Sequence, residues 1–529
     1  MNIACEIPDD LLNSPAVQPF VLYRDRVQPV LEAGRAELDG MYAPVKGRPE
    51  LDPVFLTGVT LFQAMERMPD RQAVQACLFD LRWRLALGIP KDWKGFHPST
   101  LVYFRKRVAH HRGGKWALNA GLEAMRAAGY LRTRGSVRID STHVLADLAR
   151  LSRLECVRET LRLALDFLAA FGGASAWEPW FERYADRNPK ELRDPTVERL
   201  RSTMDQAGRD ARDVLAKARM LGEPVAQSEP VTLLGRVFEQ QFQIAEDTTT
   251  VQRPITPAGC VHNPHDPDAQ WSTKKAMGKA GWVGYKVQMC ETAPEEKRRK
   301  GEPTEAVITA VLTQPAITSD HGSLVPALEA HTGSGQDQPE TAFADAGYIS
   351  APALERADAD GYELCGPVGA PPHSGKRFGS DSFVVDLPDR RATCPAGKAN
   401  ALCSRITEIK RGITYYYFAW AESDCACCPL KHQCLSLKQR RLFRTLEVGE
   451  KHMIVQARRR LCTTLEYQQR MRRRNGIEGT NSECKRGYRL RRARYRGLAK
   501  TDIQTQFIAA ACNLRRWAVR RCWLANKKA

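Results

Sequence analysis

The sequence predicts a mixed α/β chain: a sheet flanked by helices, preceded by a helical N-terminal region and interrupted by a helical and a cysteine-bearing insertion. Three observations support this. Residues 52–130 repeat apolar side chains at helical spacing. Alternating, strand-like segments then follow: SVRIDSTHV after Gly135, GWVGYKVQMCET, EAVITAVLTQPAIT and ETAFADAGYIS. Helical periodicity returns near residue 452 and persists to about 520.

Charge narrows the class of partner. The 529 residues carry 80 Lys or Arg against 61 Asp or Glu, a net +19. Residues 431–529 alone hold 27 basic and 6 acidic side chains, 27 − 6 = +21, so the remainder is near neutral. Positive charge concentrated in this way predicts a polyanion, a nucleic acid rather than a small acidic metabolite. A composition 43% hydrophobic and 27% charged is that of a globular chain with several full cores and excludes a disordered tail protein. The start, MNIACEIPDDLLNSP, has no basic or apolar leader, and no stretch approaches ~20 uncharged apolar residues. The expectation is a soluble cytoplasmic protein associated with the nucleoid, with no membrane partner. Of 16 cysteines, six lie between Cys394 and Cys434, which reads as metal or thiol chemistry in a reducing compartment.

Taken in order, residues 1–51 form an N-terminal arm and 52–130 a helical DNA-binding domain. Asp70 is placed to cap a helix whose apolar positions Val74, Leu78, Leu81 and Leu85 recur at helical spacing until Gly88 and Pro90 stop it. After the break GFHPST, Ser99 caps a second helix with Leu101, Phe104 and Val108 inward and Arg105, Lys106, Arg107 and Arg112 outward. Two helices with a basic second member suit a DNA groove; a solvated face on a helical bundle is the plainer reading. From Gly135 the period changes to two, giving a strand that ends at Asp140. Residues 148–250 return to helix, with Leu154, Val157, Leu161, Leu165 and Leu168 on one stripe, as an insertion. Strands resume, with a helix near Gly322 to His331 and a strand ending at Asp345. Gly, Pro and Ser from Pro367 to Ser382 mark a linker into the cysteine-bearing insertion, 367–451. The catalytic domain is thus 131–366 with 452–520, closed by helices near 452–475, 478–490 and 500–518. Residues 521–529 form a basic tail.

Asp140 and Asp345 at strand ends, with Glu478 on a later helix, converge if their strands are neighbours. Hard oxygen ligands of this kind suit Mg²⁺ or Mn²⁺, and a pair of such ions activates the attacking oxygen and stabilises the leaving one in phosphodiester displacement. Taken singly, an Asp at a strand end is more often a cap, and a helical Glu is more often solvated. Arg474 and Lys485, four before and seven after Glu478, share its helical face and are placed to meet phosphate. A salt-bridge ladder is the alternative; Gly476 and Gly479, each costing about 1 kcal/mol in a helix, count against a helix kept only for that, and predict one that completes when DNA and metal bind. Arg491, Arg492, Arg494 and Arg496 add further phosphate contacts.

DST after an alternating strand, ADAGY, and Arg474-x-x-x-Glu478 with Lys485 beyond resemble the three signature regions of bacterial insertion-sequence DDE transposases. The tail RNGIEGTNSE…YRLRRARYRGLAKTDIQTQFIAAACNLRRW is similar to the group with an InsH-type helical N-terminal domain and a cysteine-bearing segment before the final helix. GRPELDPVFLTGVTLFQAMERMPDRQA and FHPSTLVYFRKR resemble that N-terminal domain, and DPDAQWSTKK…GWVGYKVQ the segment ahead of the second Asp. The resemblance covers most of residues 40–520. It implies a ribonuclease-H-like fold, catalytic metal ligands Asp140, Asp345 and Glu478, binding of terminal inverted repeats, strand cleavage and strand transfer, and a homo-oligomer when ends are paired. One departure stands out: Met471 occupies the place of a tyrosine three residues before the Arg, with Tyr467 one turn earlier. Glu483 competes for the third ligand.

Cys425-x-x-Cys428 and Cys434, with Cys394 or Cys403 upstream, could form a structural Zn²⁺ site; Cys427 beside Cys428 leaves the set open, and reduced thiols are the alternative. His143 reads as a hydrogen-bonded neighbour of the site rather than a catalyst, Tyr495 as a packing residue, and Trp177 and Trp180 as core before any DNA wedge. Two other function classes stay open: an inactive DNA-binding transposase relic, and a zinc-dependent nuclease.

Overall fold

Six strands make the main sheet: β1 Val137–Leu145, β2 Gln270–Ala276, β3 Lys279–Thr292, β4 Ile308–Pro315, β5 Thr341–Phe343 and β6 Glu363–Cys365. The computed structural model describes residues 8–42, 51–111, 114–185, 196–245, 250–254, 259–276, 279–295, 299–370, 377–409, 412–435 and 442–528. Across the sheet the order runs β4, β3, β1, β5, β6, with β2 pairing the first part of β3 on the side where β4 pairs the second. β3 is antiparallel to β1 and β4, whereas β1, β5 and β6 run parallel. Parallel neighbours need crossovers, and Ala351–Ala359 supplies one as a helix between β5 and β6.

Alternation assigns the faces. Val137, Ile139 and Cys290 pack against the helices Leu324–Thr332 and Ala351–Ala359. Tyr285, Val287, Met289, Ile308 and Val311 join a larger core on the other side with Phe507, Ile508 and Leu514 of the closing helix, Leu498–Lys528. That helix also protects an edge. Asn513 accepts from Ile308 N and donates to Ile308 O (2.9 and 2.7 Å), Gln506 donates to Val311 O (3.0 Å), and Asp502 accepts from Thr313 N (3.2 Å). Amide and carboxylate side chains thus satisfy the outer backbone of β4, which would otherwise invite another strand.

The same core takes in the N-terminal region. Phe20 and Tyr23 lie against Phe62, with ring centroids 4.8 and 4.9 Å apart, so residues expected in a separate arm are part of the helical bundle. Residues 521–528 continue the closing helix instead of forming a tail. The helix expected to begin under an Asp70 cap is two helices, Asp70–Phe79 and Leu81–Leu87. Asp80 breaks the run and caps the second through Arg82 N (2.9 Å). Asp70 caps nothing; its carboxylate accepts from Gln63, Arg105 and Arg494.

The insertion is helical, with Arg153–Gly172, Val197–Met220 and Glu229–Gln241 around their own core. A capping box between Ser152 and Glu155 starts the first. Trp177 is fully buried in that core and Trp180 is packed against it, with the Lys217 ammonium 4.8 and 5.4 Å from the two rings, so neither is presented as a wedge. In the cysteine-bearing region, Leu402–Glu408, Ile413–Ala419 and Thr445–Gly449 form a three-stranded antiparallel sheet. Val384–Asp386 pairs with Arg391–Thr393 beside it. Among the described residues no helix is long and apolar enough to cross a membrane.

Candidate active site

β1 does not end at Asp140. It runs five residues further, to Leu145, because the alternation Val137, Ile139 resumes at Thr142 and Val144 and β3 pairs it throughout. Asp140 is therefore a mid-strand residue opposite Met289. β5 stops at Phe343, two residues short of Asp345, which sits in the turn that follows. There Gly347 N donates to Asp345 Oδ1 (2.8 Å). A Cβ at Gly347 would stand 3.0 Å from that oxygen and 3.2 Å from Asp320 Cβ, so the turn is tight enough to call for glycine.

Glu478 lies on the helix Gly476–Gly487, entered through a 3₁₀ turn over Arg472–Asn475. This helix is complete despite its glycines, and one of them has a steric reason. A side chain at Gly476 would collide with the Arg138 guanidinium, which crosses there to reach Arg473 O (3.1 Å) and Glu291 Oε1 (2.6 Å). Glu291, fully buried on β3, is the anchor: it also accepts from Thr480 Oγ1 (2.6 Å) and Arg516 Nη1 (3.3 Å). Two strands, this helix and the closing helix meet on one carboxylate.

The three acidic residues act on one another. Burial pushes the Asp140 carboxyl up to about 6; a hydrogen bond from Ser141 N–H opposes this, and the charges of Asp345 and Glu478 add to it while Arg474 lowers it. Asn481 Nδ2 donates to Asp140 Oδ2 (3.1 Å), and Asn481 Oδ1 is buried with no hydrogen-bond partner. Sequence reading missed Asn481, though its place three after Glu478 and four before Lys485 puts it on the same face. Lys485 is half-buried; burial lowers its ammonium, Arg491 adds to this, and Asp140 opposes it. Among the described residues no group of His, Cys, Asp or Glu is gathered to the spacing of a formed metal site. The donor chemistry nonetheless fits a hard cation: like charges on two half-buried aspartates and an exposed glutamate, with an unpartnered amide oxygen beside Asp140, are what a divalent ion neutralises and ligates.

Glu478 and Glu483 are distinguished by their partners. Glu478 is largely exposed and meets only Arg474 Nη2 among the ion pairs here (3.1 Å), whereas Glu483 is bound by Arg516 (2.7 and 3.1 Å). Glu483 serves the fold, so Glu478 remains the free carboxylate. Glu483→Gln is expected to lower the unfolding temperature and Glu478→Gln to leave it unchanged, since exposed i,i+4 pairs are worth only about 0.3–0.5 kcal/mol. Thermal melts of both would reverse the assignment if Glu478→Gln proved the less stable.

The other sites predicted from sequence divide. Arg491, Arg492 and Arg496 are exposed, and Lys106 is exposed near the Tyr103 ring. Arg494, though exposed, is committed to Asp70 (2.9 Å) and Met68 O (2.8 Å). Arg105, expected to face outward, is buried: it pairs with Asp70 (2.6 Å) and lies 4.7 Å from the Tyr495 ring, because one carboxylate at the start of the bundle draws both arginines inward. Tyr495 accordingly packs between guanidinium groups. Arg107 stacks on Tyr42 (4.7 Å), and Arg112 lies outside the described residues. His143 stacks on Trp282 (4.7 Å); burial, then Lys485, Lys274 and Lys286, lower it to about 4, so it is neutral near pH 7 and offers no acidic proton. Tyr467 lies away from the carboxylates, accepting from Gly366 N (3.0 Å) beside Cys365, Phe343 and Met471. Beside Gly347, Asp320 is half-buried, which raises its carboxyl, but bonds from Lys274 and Lys286 outweigh this and hold it at about 2.

Comparison with known families bears on both ends of the chain. Residues 21–107 match the transposase domain DUF772, and residues 393–518 match the Transposase DDE domain. Both ends of the chain are thus similar to transposase domains. The first match takes in Lys106 and Arg105, and the second takes in Arg474, Glu478, Asn481 and Lys485; Asp140 and Asp345 precede it. No curated protein and no solved structure matches the chain.

Proposed function

We propose that this chain is an insertion-sequence DDE transposase that binds the terminal inverted repeats of its own element as double-stranded DNA, cuts at their ends and joins the freed 3′ end to target DNA. Asp140, Asp345 and Glu478 are the residues that would hold Mg²⁺ or Mn²⁺, two ions in all. The observation that carries the reading is that the charges of Asp345 and Glu478 both bear on the half-buried Asp140, with Asp140 on β1 and Asp345 just past the parallel neighbour β5. A ribonuclease-H-like domain is supported by the strand order β4, β3, β1, β5, β6 with β3 running against the rest.

The bound ions supply Lewis acidity to the attacking and leaving oxygens. The chain's own residues do the rest. Asn481 fixes one oxygen of Asp140, leaving the other for a ligand. Gly347 N holds one oxygen of Asp345 in its turn. Arg474 and Lys485 flank Glu478 on the helical face and would draw the scissile phosphate to it, while Arg491, Arg492, Arg496 and Lys106 hold the flanking backbone. Arg105 and Arg494 instead fix the N-terminal bundle against the arginine-rich segment. Pairing two ends calls for a homo-oligomer, acting at the nucleoid in the cytoplasm.

Incubation of the purified chain with DNA carrying the inverted repeats that flank its gene, with Mg²⁺, tests this. Nicking at the repeat ends is expected, and Asp345→Asn is expected to reduce it by about 10³-fold or more while end binding persists. Specific binding with no cutting by the parent chain under any metal would instead favour a DNA-binding relic.

A further inference from the structure

We propose that Cys394, Cys425, Cys428 and Cys434 form a structural tetrathiolate zinc site, which holds the cysteine-bearing region together independently of the catalytic carboxylates. The four come from three separate places: the end of the strand Arg391–Thr393, the short helix Glu422–Ala426 with the turn after it, and the short helix Lys431–Cys434. All four line one cavity of about 30 Å³. Cys403 and Cys427, which the sequence left in competition, do not line it. Cys427 is exposed, with its Sγ 3.3 Å from Ser423 O, and Cys403 sits on the strand Leu402–Glu408 opposite Phe418. The geometry selects one set of four from the six.

Three further observations point to a ligand in that cavity. The helices Glu422–Ala426 and Lys431–Cys434 are five and four residues long and bury no residue. Helices of that length are not stable in water by themselves, and neither contributes an apolar side chain to the core made by Phe383, Val385, Phe418, Trp420, Leu446 and Val448. Their cysteines are what connects them to it. Second, the local backbone presents sulfur as metal-binding turns do. Gly397, at φ +79°, closes the turn Cys394-Pro-Ala-Gly, its N–H reaching Cys394 O (2.8 Å), and Cys428 N reaches Cys425 O (3.4 Å). Arg444 N donates to Cys425 Sγ (3.5 Å). Third, the surrounding charge is right for a dianionic centre. Arg444 reaches Cys434 O and Phe378 O (both 3.1 Å), and Lys398 and Lys431 share the cavity wall with one acid, Asp424, 3.7 Å from Lys398, so the wall stays net positive. All four thiols are free, and as they stand they are not gathered to ligand spacing, so binding draws them inward as deprotonated ligands around a tetrahedral ion, releasing protons.

Metal analysis of the full-length protein, purified without chelator and dialysed, tests the assignment. About one zinc per chain is expected, released by a mercurial thiol reagent. Cys394→Ser and Cys434→Ser should lose it, Cys403→Ser and Cys427→Ser should keep it, and Asp345→Asn should keep it too, which separates this site from the catalytic one. Where a serine variant does not fold, Co²⁺ exchanged into the unaltered protein gives the same answer through thiolate-to-cobalt absorption. A zinc-free protein, two thiols lost to a disulfide among the four, or equal zinc loss in Cys403→Ser would overturn the proposal.

Discussion

Asp140→Asn should yield a protein that no longer cuts DNA ends yet unfolds at a higher temperature than its parent at neutral pH. The unfolded carboxyl ionises near 3.8, whereas burial and its acidic neighbours push the folded one to about 6. Folding therefore favours the protonated form. Below about pH 4 both states carry the proton and the parent suffers no penalty; between about 4 and 6 the penalty grows, and above that it is complete, up to ~3 kcal/mol. Asparagine keeps an acceptor for Asn481 and stays neutral, so a gain of about 1–2 kcal/mol at pH 7 is expected, vanishing near pH 4. Adding Mg²⁺ should raise the melting temperature of the parent but not of the variant, because an ion that binds only the folded state stabilises it by mass action. Melting curves across pH, with and without Mg²⁺, decide this; a variant less stable than the parent at pH 7 would refute the account.

Glu291→Ala carries the largest expected loss. Glu291 has no exposed surface and receives hydrogen bonds from Arg138, Thr480 and Arg516, the two arginines being themselves largely buried. Removing the carboxylate strands the Arg138 guanidinium in the interior and leaves Arg516 with Glu483 alone, a change that costs about 3–5 kcal/mol. It also frees the helix that carries Glu478, so cutting should fall even at temperatures where the protein stays folded. Denaturant titration measures the first effect. Pairing Glu291→Ala with Arg138→Met should recover part of the stability, since the stranded charge is then removed; strict additivity of the two changes would show that the residues do not act as a unit.

Much of the site was legible because its chemistry is written in residue types that the fold has no other use for. Glu478 stood out as an acid among arginines, and its low number of partners explains why: nothing in the core needs it. Asp140 and Asp345 were singled out as candidates through the period-two segments before them, although both strand ends were misplaced, since a polar residue in a strand breaks the apolar alternation without ending the strand. Asn481 was invisible because a neutral amide leaves no mark in a charge count. Arg105 was misassigned for the opposite reason: helical periodicity placed it outward, and only the tertiary approach of Asp70, 35 residues earlier, turned it in. The cysteines gave their spacing but not their set, because which four converge depends on how Arg391–Thr393 and two very short helices meet.

The closing helix Leu498–Lys528 has a consequence in time. It completes the apolar core of the N-terminal bundle and covers the outer edge of β4, and the latch from Arg494 to Asp70 spans 424 residues. At ribosomal rates of about 5–20 residues per second, the partners of that helix wait roughly 20–85 s with apolar surface open to solvent. Nascent chains of this protein are therefore natural clients for chaperones. A copy of the gene interrupted before codon 498 would yield a polypeptide unable to bury its N-terminal bundle, cleared by proteolysis before it could compete with intact chains for DNA.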